Sequence, residues 1–359
     1  MSGPPGSARD EQFRTSGISL VCVHDGPSVT RSKVAPGRRL RAALVSTVVG
    51  IAAGATIPAT ASAQRRDVSA MRSWVDQYYA DYTAMSTAPA GPAMDRWLAH
   101  YAPYAFFEDP TAGLSGIGHE QIRKPYVEAF TGPYGPVYWT ILRRVTSGDW
   151  TVVEGWLDGT QTGKPVHTRF TTWMKIRDGK IVHQIDYLDY GAIKRQVAGE
   201  EAVSRDPPEA PATPGRGGRA ADRALRLTDE FYRRYEAMPV LASPAGLARY
   251  VELLTEDFKL EDPTGRLRFD SREKMHASLK DALATGDYGL FHWEIDRRIT
   301  DGEWVALEGS WRGVYKGRPF ATRFTTWLQL RGDKIARQID YLDYATFRRL
   351  TSRIQEGVR

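Results

Sequence analysis

One cysteine, Cys22, is all that the 359 residues contain. With no second thiol, no internal disulfide is available to staple the fold and no cysteine pair can hold a zinc ion. Histidine is scarce as well: the seven are isolated, and no His-x-x-x-His pair occurs. No glycine-rich phosphate loop and no Gly-x-Ser-x-Gly elbow is present, so neither nucleotide binding nor serine hydrolysis is expected. The expectation is a protein with no metal and no cofactor. Long apolar runs are missing too. The best of them, Ala42 to Ala55, is shorter than the roughly 20 residues that cross a bilayer.

That short run has a different reading. Arg38-Arg39-Leu40-Arg41 precedes it and Ala61-Ser62-Ala63 follows it, the basic start and small-residue end of an export signal. Residues 34–63 are therefore read as a signal peptide and 1–33 as disordered or a mis-called start. The mature chain is expected to begin near Gln64, in the periplasm or secreted, with no membrane span after processing. Charge follows the same division. Of the net +6, the first 63 residues hold seven basic residues against three acids. A nearly neutral remainder gives no reason to expect a nucleic-acid partner.

What the chain does have is a repetition. Of the 23 positions from 168 to 190, 16 are identical 154 residues later. Thr168-Arg169-Phe170-Thr171-Thr172-Trp173 returns as Thr322-Arg323-Phe324-Thr325-Thr326-Trp327, and Gln184 to Tyr190 returns as Gln338 to Tyr344. Glu108-Asp109-Pro110-Thr111 returns as Glu261-Asp262-Pro263-Thr264. A repeat this long is a whole domain rather than a solenoid unit. Two domains are expected, at 68–197 and 221–353. Residues 198–220, with Pro207, Pro208, Pro211, Pro214 and Gly215, Gly217 and Gly218, form the linker.

Within each copy the hydrophobic period changes. Met71–Met85, Met94–Tyr101 and Glu120–Phe130 read as helices, as do Leu227–Met238 and Leu247–Leu254 in the second copy. Four runs rich in aromatic and β-branched residues follow: Val137–Val145, Trp150–Leu157, His167–Ile176 and Ile181–Tyr187, with a short strand at Phe106–Glu108. Helices first and a meander afterwards give the α+β class: two tandem cone-shaped domains, each about three helices packed on a curved antiparallel sheet.

The order of elements, the Phe107-Glu108-Asp109-Pro110 segment, the Gly118-His119-Glu120-Gln121-Ile122 helix start and the Gly179-Lys180-Ile181 strand resemble the nuclear-transport-factor-2-like superfamily. Its ketosteroid isomerase and SnoaL-like polyketide cyclase branches are the most similar. The resemblance implies that Asp109 and Asp262 stand where the isomerase has its general base. It also places Tyr82 and Tyr235 at the oxyanion-binding tyrosine. The isomerase's protonated aspartic acid is replaced by Thr172 and Thr326, which argues against the dedicated steroid reaction.

Alternation along the strands, matched to that family, puts Gln184, Asp186 and Leu188 on the pocket side. Phe170 and Thr172 face it from the neighbouring strand and Gly155 from the next. Gln338, Asp340, Thr326, Phe324 and Gly309 are the counterparts. Asp186 and Asp340 thus add a second carboxylate, and two carboxylates in one apolar cleft push their pKa values apart. The expected catalytic set is Asp109, Asp186 and Tyr82, with Asp262, Asp340 and Tyr235. Gln184, Thr172, Phe170, Gly155, Leu188, Gln338, Thr326, Phe324 and Gly309 contact the ligand. The reaction would be cofactor-free isomerisation, cyclisation, dehydration or hydration of a small apolar oxygenated molecule.

Alternatives stand beside each reading. Asp109 before proline is also a turn device, and Asp186 also fits as a satisfied core partner of Tyr82 or Gln184. A non-catalytic carrier or a protein-interaction module fits the same residues. Arg169, Thr171 and Trp173 face away from the pocket. A Thr-Arg-Asp catalytic cluster, resembling the Asp-Arg-Asp set of limonene epoxide hydrolases, is the sharper reading; an Arg169–Asp189 ion pair where the sheets meet is preferred. That contact would make the chain an intramolecular pseudo-dimer and a monomer overall. Trp311 where the first copy has Leu157 should shrink the second cavity and leave the first copy the more active.

Overall fold

The computed structural model describes residues 59–203, 218–238 and 244–352. The expected start, the expected leader up to residue 58 and positions 204–217 of the expected linker lie outside the described residues; residues 59–63 belong to the first helix. The first half runs α1 (Ala59–Thr87), α2 (Pro92–Leu98), β1 (Tyr101–Asp109), β2 (Leu114–Ile117), α3 (Gly118–Thr131), β3 (Tyr134–Ser147), β4 (Trp150–Gln161), β5 (Lys164–Arg177), β6 (Lys180–Leu188) and α4 (Tyr190–Ala198). The second repeats it as α5 (Arg219–Ala237), α6 (Pro244–Val251), β7 (Leu254–Asp262), β8 (Leu267–Phe269), α7 (Arg272–Ala284), β9 (Tyr288–Thr300), β10 (Trp304–Tyr315), β11 (Arg318–Arg331), β12 (Lys334–Leu342) and α8 (Tyr344–Ser352). Each half is a six-stranded sheet, ordered β2-β1-β6-β5-β4-β3 and β8-β7-β12-β11-β10-β9. All pairings are antiparallel except β1 with β6 and β7 with β12.

Local sequence explains the elements. In α1, Val75, Tyr78, Tyr79, Tyr82 and Met85 recur at helical spacing, and all are buried against the sheet. The β5–β6 hairpin turns on Asp178 and Gly179, at φ 50 and 70, a pair suited to a type I′ turn. In the second half the order is reversed to Gly332-Asp333 with φ 63 at the glycine, and the hairpin still closes.

The register sets Thr172 opposite Asp186, Phe170 opposite Leu188 and Thr326 opposite Asp340, the faces expected from alternation. Beside the bends in β3 and β9 the register slips, between Ile141 and Arg143 and again between Glu308 and Gly309. There a Cβ on Gly155 would collide with the Thr140 carbonyl oxygen, and one on Gly309 with that of Glu294. Their lack of a side chain lets adjoining backbones approach where the sheet curves. Gly155 and Gly309, expected as ligand contacts, thus serve the bending of the sheet, and neither lines the cavity described below.

Two further differences matter for the site. The helix expected to reach Tyr101 stops at Leu98, and Tyr101 instead opens β1. Asp189 does not continue β6: its carboxylate accepts the Ala192 N–H and caps α4, which ends on left-handed Gly199. Helices α4 and α8 were not expected.

The two sheets pack face to face through Val152, Trp173, Ile185, Tyr187, Trp327, Ile339 and Tyr341, all buried. The contacts are reciprocal, as a self-complementary interface requires. Tyr187 donates to Glu308 at 3.1 Å and Tyr341 to Glu154 at 3.0 Å. Arg169 does not pair with Asp189 as expected. Its Nε reaches Glu154 at 2.6 Å, and its Nη1 crosses to Glu261 at 3.0 Å. Burial pushes the Glu154 carboxyl up, but Arg169 and Arg143 outweigh that and hold it below the ordinary range. The pseudo-dimer is thus built from apolar area, with a ring of buried charge around it.

Candidate functional site

A cavity of about 580 Å³ opens between α1, α3 and the concave face of the first half's sheet. Its walls are mostly aromatic and aliphatic: Phe107, Tyr126, Phe130, Tyr134, Trp139, Leu188 and Ile193. Three of the expected catalytic residues, Tyr82, Asp109 and Asp186, reach this cavity. Its volume falls within the range of small-molecule pockets.

Asp109 stands at the end of β1, where the chain turns. One of its oxygens accepts the Thr111 hydroxyl at 2.6 Å and the Ala112 N–H at 3.0 Å, and the other accepts the Tyr190 hydroxyl at 2.7 Å. Burial nevertheless raises its pKa to about 6, against the lowering effect of those bonds. Its turn-holding role and its place on the cavity coexist.

Asp186 is held differently. The Gln184 amide nitrogen lies 3.0 Å from both of its oxygens. The Gln184 carbonyl oxygen in turn accepts from Tyr78 at 3.1 Å and Tyr101 at 2.8 Å. Burial first, and the neighbouring charge of Asp109 second, raise the Asp186 pKa to about 7. Both carboxyls thus have pKa values raised toward neutrality, mainly by burial. One can hold a proton while the other accepts one, the condition for acid–base work.

The remaining expected ligand contacts separate into two groups. Leu188 lines the cavity. Phe170 is fully buried behind Trp139, at 4.6 Å between rings, and Thr172 is buried as a hydrogen-bond partner of Asp186. Gln184 is buried and orients Asp186 rather than a ligand. Sequence reasoning missed Tyr78, Tyr101 and Tyr190. Tyr78 shares the α1 face of Tyr82 and was open to discovery, but Tyr101 was assigned to a helix and Tyr190 lay beyond the expected strand Ile181–Tyr187.

The second half keeps part of this arrangement. Asp262 accepts from Thr264, Gly265 and Tyr344, with a pKa raised by burial to about 6. Asp340 accepts from Thr326 at 2.7 Å and Gln338 at 2.6 Å, and burial with the Asp262 charge raises its pKa to about 7. Yet Phe231 and Leu254 occupy the places of Tyr78 and Tyr101, and the Gln338 carbonyl oxygen is buried without a partner among the described residues. Tyr235 stacks on Tyr250 and Trp293. Trp311 lies flat between Trp293 and Phe347, with centroids 5.3 Å away on each side. Phe324, like Phe170, is fully buried. The first half holds leucine and isoleucine where Trp311 and Phe347 stand, so the aromatic fill belongs to the second half.

A curved six-stranded sheet closed by helices is a nuclear-transport-factor-2-like cone, present here twice. The family of SnoaL-like domains matches residues 75–184 and again 229–338, and the chain belongs to it. No curated protein sequence matches the chain. Among solved structures it is similar to a protein assigned as a SnoaL-like polyketide cyclase from Shewanella putrefaciens, at 19% identity and TM-score 0.33, over 42% of this chain and 99% of that one. It is similar also to a hypothetical protein with a ketosteroid isomerase-like fold from Catenulispora acidiphila, in complex with trimethylamine, at 20% identity and TM-score 0.29, over 35% and 97%. An LEH-like epoxide hydrolase of M. tuberculosis shares 21% identity at TM-score 0.28, over 34% and 91%. At these values the likenesses carry no chemistry across to this chain.

Proposed function

We propose that the first half binds a small, apolar, oxygenated molecule and performs acid–base chemistry on it without a cofactor, by isomerisation, cyclisation, dehydration or hydration. The observation that carries this reading is the opening of Asp109 and Asp186, with pKa values raised to about 6 and about 7, onto one largely apolar cavity. Asp186 is the proton-carrying group, held by Gln184. Asp109 adjusts its charge, and Tyr82 supplies a hydroxyl on the same wall. A second reading, carriage without turnover, is favoured by one observation: both Asp109 oxygens are already engaged by Thr111, Ala112 and Tyr190. In this proposal the protein is exported, with residues 34–63 as its signal, and acts as a monomer that contains its own pseudo-dimer.

The test is incubation of the purified protein with an extract of its own host, followed by mass spectrometry of what stays bound and of what is released. A retained apolar molecule recovered unchanged favours carriage; one recovered rearranged or with water gained or lost favours catalysis. Retention of no small molecule would defeat both. N-terminal sequencing of protein from outside the cell tests export, and a product still containing Cys22 would refute it.

A further inference from the structure

The cavity of the first half is not built by the first half alone. Asp343, Ala345, Thr346 and Arg349, from the end of β12 and from α8, form part of its mouth. The relation is mutual, because Asp189, Ala192 and Arg195 on the first half stand beside Asp262, Pro263 and Arg266 of the second. Each half therefore lends its last helix to the other's turn after the Glu-Asp-Pro segment.

The two crossings are not equivalent in charge. On the first half's helix, Arg195 is committed: its Nε lies 2.6 Å from Glu201, and it also approaches Asp189 at 3.9 Å. On the second half's helix the matching Arg349 has no carboxylate partner among the described residues; its Nη2 lies 3.4 Å from the Thr346 hydroxyl. Asp343, the acid nearest in sequence on that rim, accepts the Thr346 N–H at 2.9 Å as a helix cap. Lys194, from α4, is also exposed and lines the same cavity. Two exposed cations with no carboxylate partner among the described residues thus line the solvent edge of a largely apolar cavity.

We propose that Arg349 and Lys194 form a carboxylate-binding rim, and that the ligand of the first half is an apolar acid, its body in the cavity and its ionised head at the mouth. The proposal rests on the small-molecule reading of the cavity and names the ligand class. A guanidinium suits this task because it presents several donors in a plane that matches a carboxylate. The head group stays at the solvent edge, where its charge needs little desolvation, while the chain gains from leaving water. The Asp109–Asp186 pair then meets the uncharged part of the molecule, so like charges are not forced together. The asymmetry also assigns the acid to the first half, since Arg195 is already neutralised at the second.

The experiment compares decanoate with decan-1-ol by calorimetric titration at pH 8. The proteins are the full chain, Arg349→Gln, the Arg349→Gln/Lys194→Gln pair, and Arg195→Gln as the paired control. The acid should bind roughly tenfold more tightly than the alcohol. That preference should weaken in high salt, vanish in the double variant and persist in Arg195→Gln. Acid and alcohol binding equally to the unaltered chain, or a preference retained by the double variant, would overturn the rim while leaving the cavity in place. If neither compound binds, the small-molecule reading falls with it.

Discussion

Trp173 of the first half donates its indole N–H to the Thr325 hydroxyl of the second at 2.9 Å, and Trp327 returns the bond to Thr171 at 3.0 Å. Each threonine hydroxyl in turn donates to a carbonyl on the adjoining strand, Val153 for Thr171 and Leu307 for Thr325. The repeated Thr-Arg-Phe-Thr-Thr-Trp segment is therefore kept twice for a joint need: its outward residues bind the other copy. A double-mutant cycle of Trp173→Phe with Thr325→Val should show a coupling of about 1 kcal/mol in urea unfolding. Strict additivity would mean that the bond contributes nothing to joining the halves.

Glu154 sits in the same interface with Arg143, Arg169 and Tyr341 as partners. Its side chain is completely buried. Glu154→Gln leaves the Arg169 and Arg143 charges short of a counter-ion in a dry contact, and loss of one partner from such a cluster costs about 3–5 kcal/mol. The exposed Lys274–Asp270 pair should yield less than about 1 kcal/mol when broken. Equal, small losses from both would show that the buried charges are screened by water.

Asp186 gives stability a pH dependence whose sign is fixed by the direction of its shift. Its folded pKa of about 7 lies above the ordinary 3.8, so the folded state holds the proton more tightly than the unfolded one. This group's contribution is best in acid and declines as pH rises from about 4 to about 7, then levels. Asp186→Asn removes that penalty. The variant should gain on the order of 2–4 kcal/mol over the unaltered protein at pH 8 and little at pH 4, while losing any turnover. Urea unfolding at the two pH values measures it; an equal change at both would place the Asp186 pKa near its ordinary value.

Tyr190 holds Asp109 by donating to it, and that bond is among the effects lowering the Asp109 pKa. Tyr190→Phe should therefore move the Asp109 titration upward from about 6, by about one unit. Carboxyl NMR titration reads the shift directly. An unchanged midpoint would remove Tyr190 from the site.

Much of this was legible in the sequence because repetition exposed it. The strand alternation that put Asp186 opposite Thr172 and Phe170 opposite Leu188 needs only a period of two and a hairpin turn. Asp109 and Tyr82 came from the resemblance and reach the cavity. What failed depended on the third dimension. Gly155 sits on the correct face but opposite a bulge, and a bulge leaves no mark in the strand that faces it. Gln184 also has the correct parity, yet Tyr78 and Tyr101 cover it. Tyr101 was unreadable because the helix before it ends without a glycine or proline stop. Asp189 is both the next strand position and a good helix cap, and the capping role prevails. Arg169 reaches Glu261 across the halves, 92 residues away in the chain, beyond any local pattern.

The aromatic fill of the second half offers a last test, made by moving it. Ile193 lies on the wall of the first cavity and is nearly fully buried, and Phe347 is its counterpart. In the second half Phe347 packs on Trp311 at 5.3 Å and on Phe320 at 5.0 Å. Ile193→Phe has open volume to grow into, so its overpacking cost should fall at or below the usual 1–3 kcal/mol. The added ring takes space from the ligand and none from the Asp186–Gln184 contact. Binding of decanoate should weaken by roughly tenfold or more, about 1.4 kcal/mol, with the thermal midpoint nearly unchanged and the Asp186 titration still near 7. The reciprocal Phe347→Ile should leave binding at the first half unaltered. If Ile193→Phe binds as well as the unaltered chain, the ligand does not enter this cavity and Asp186 is a structural acid.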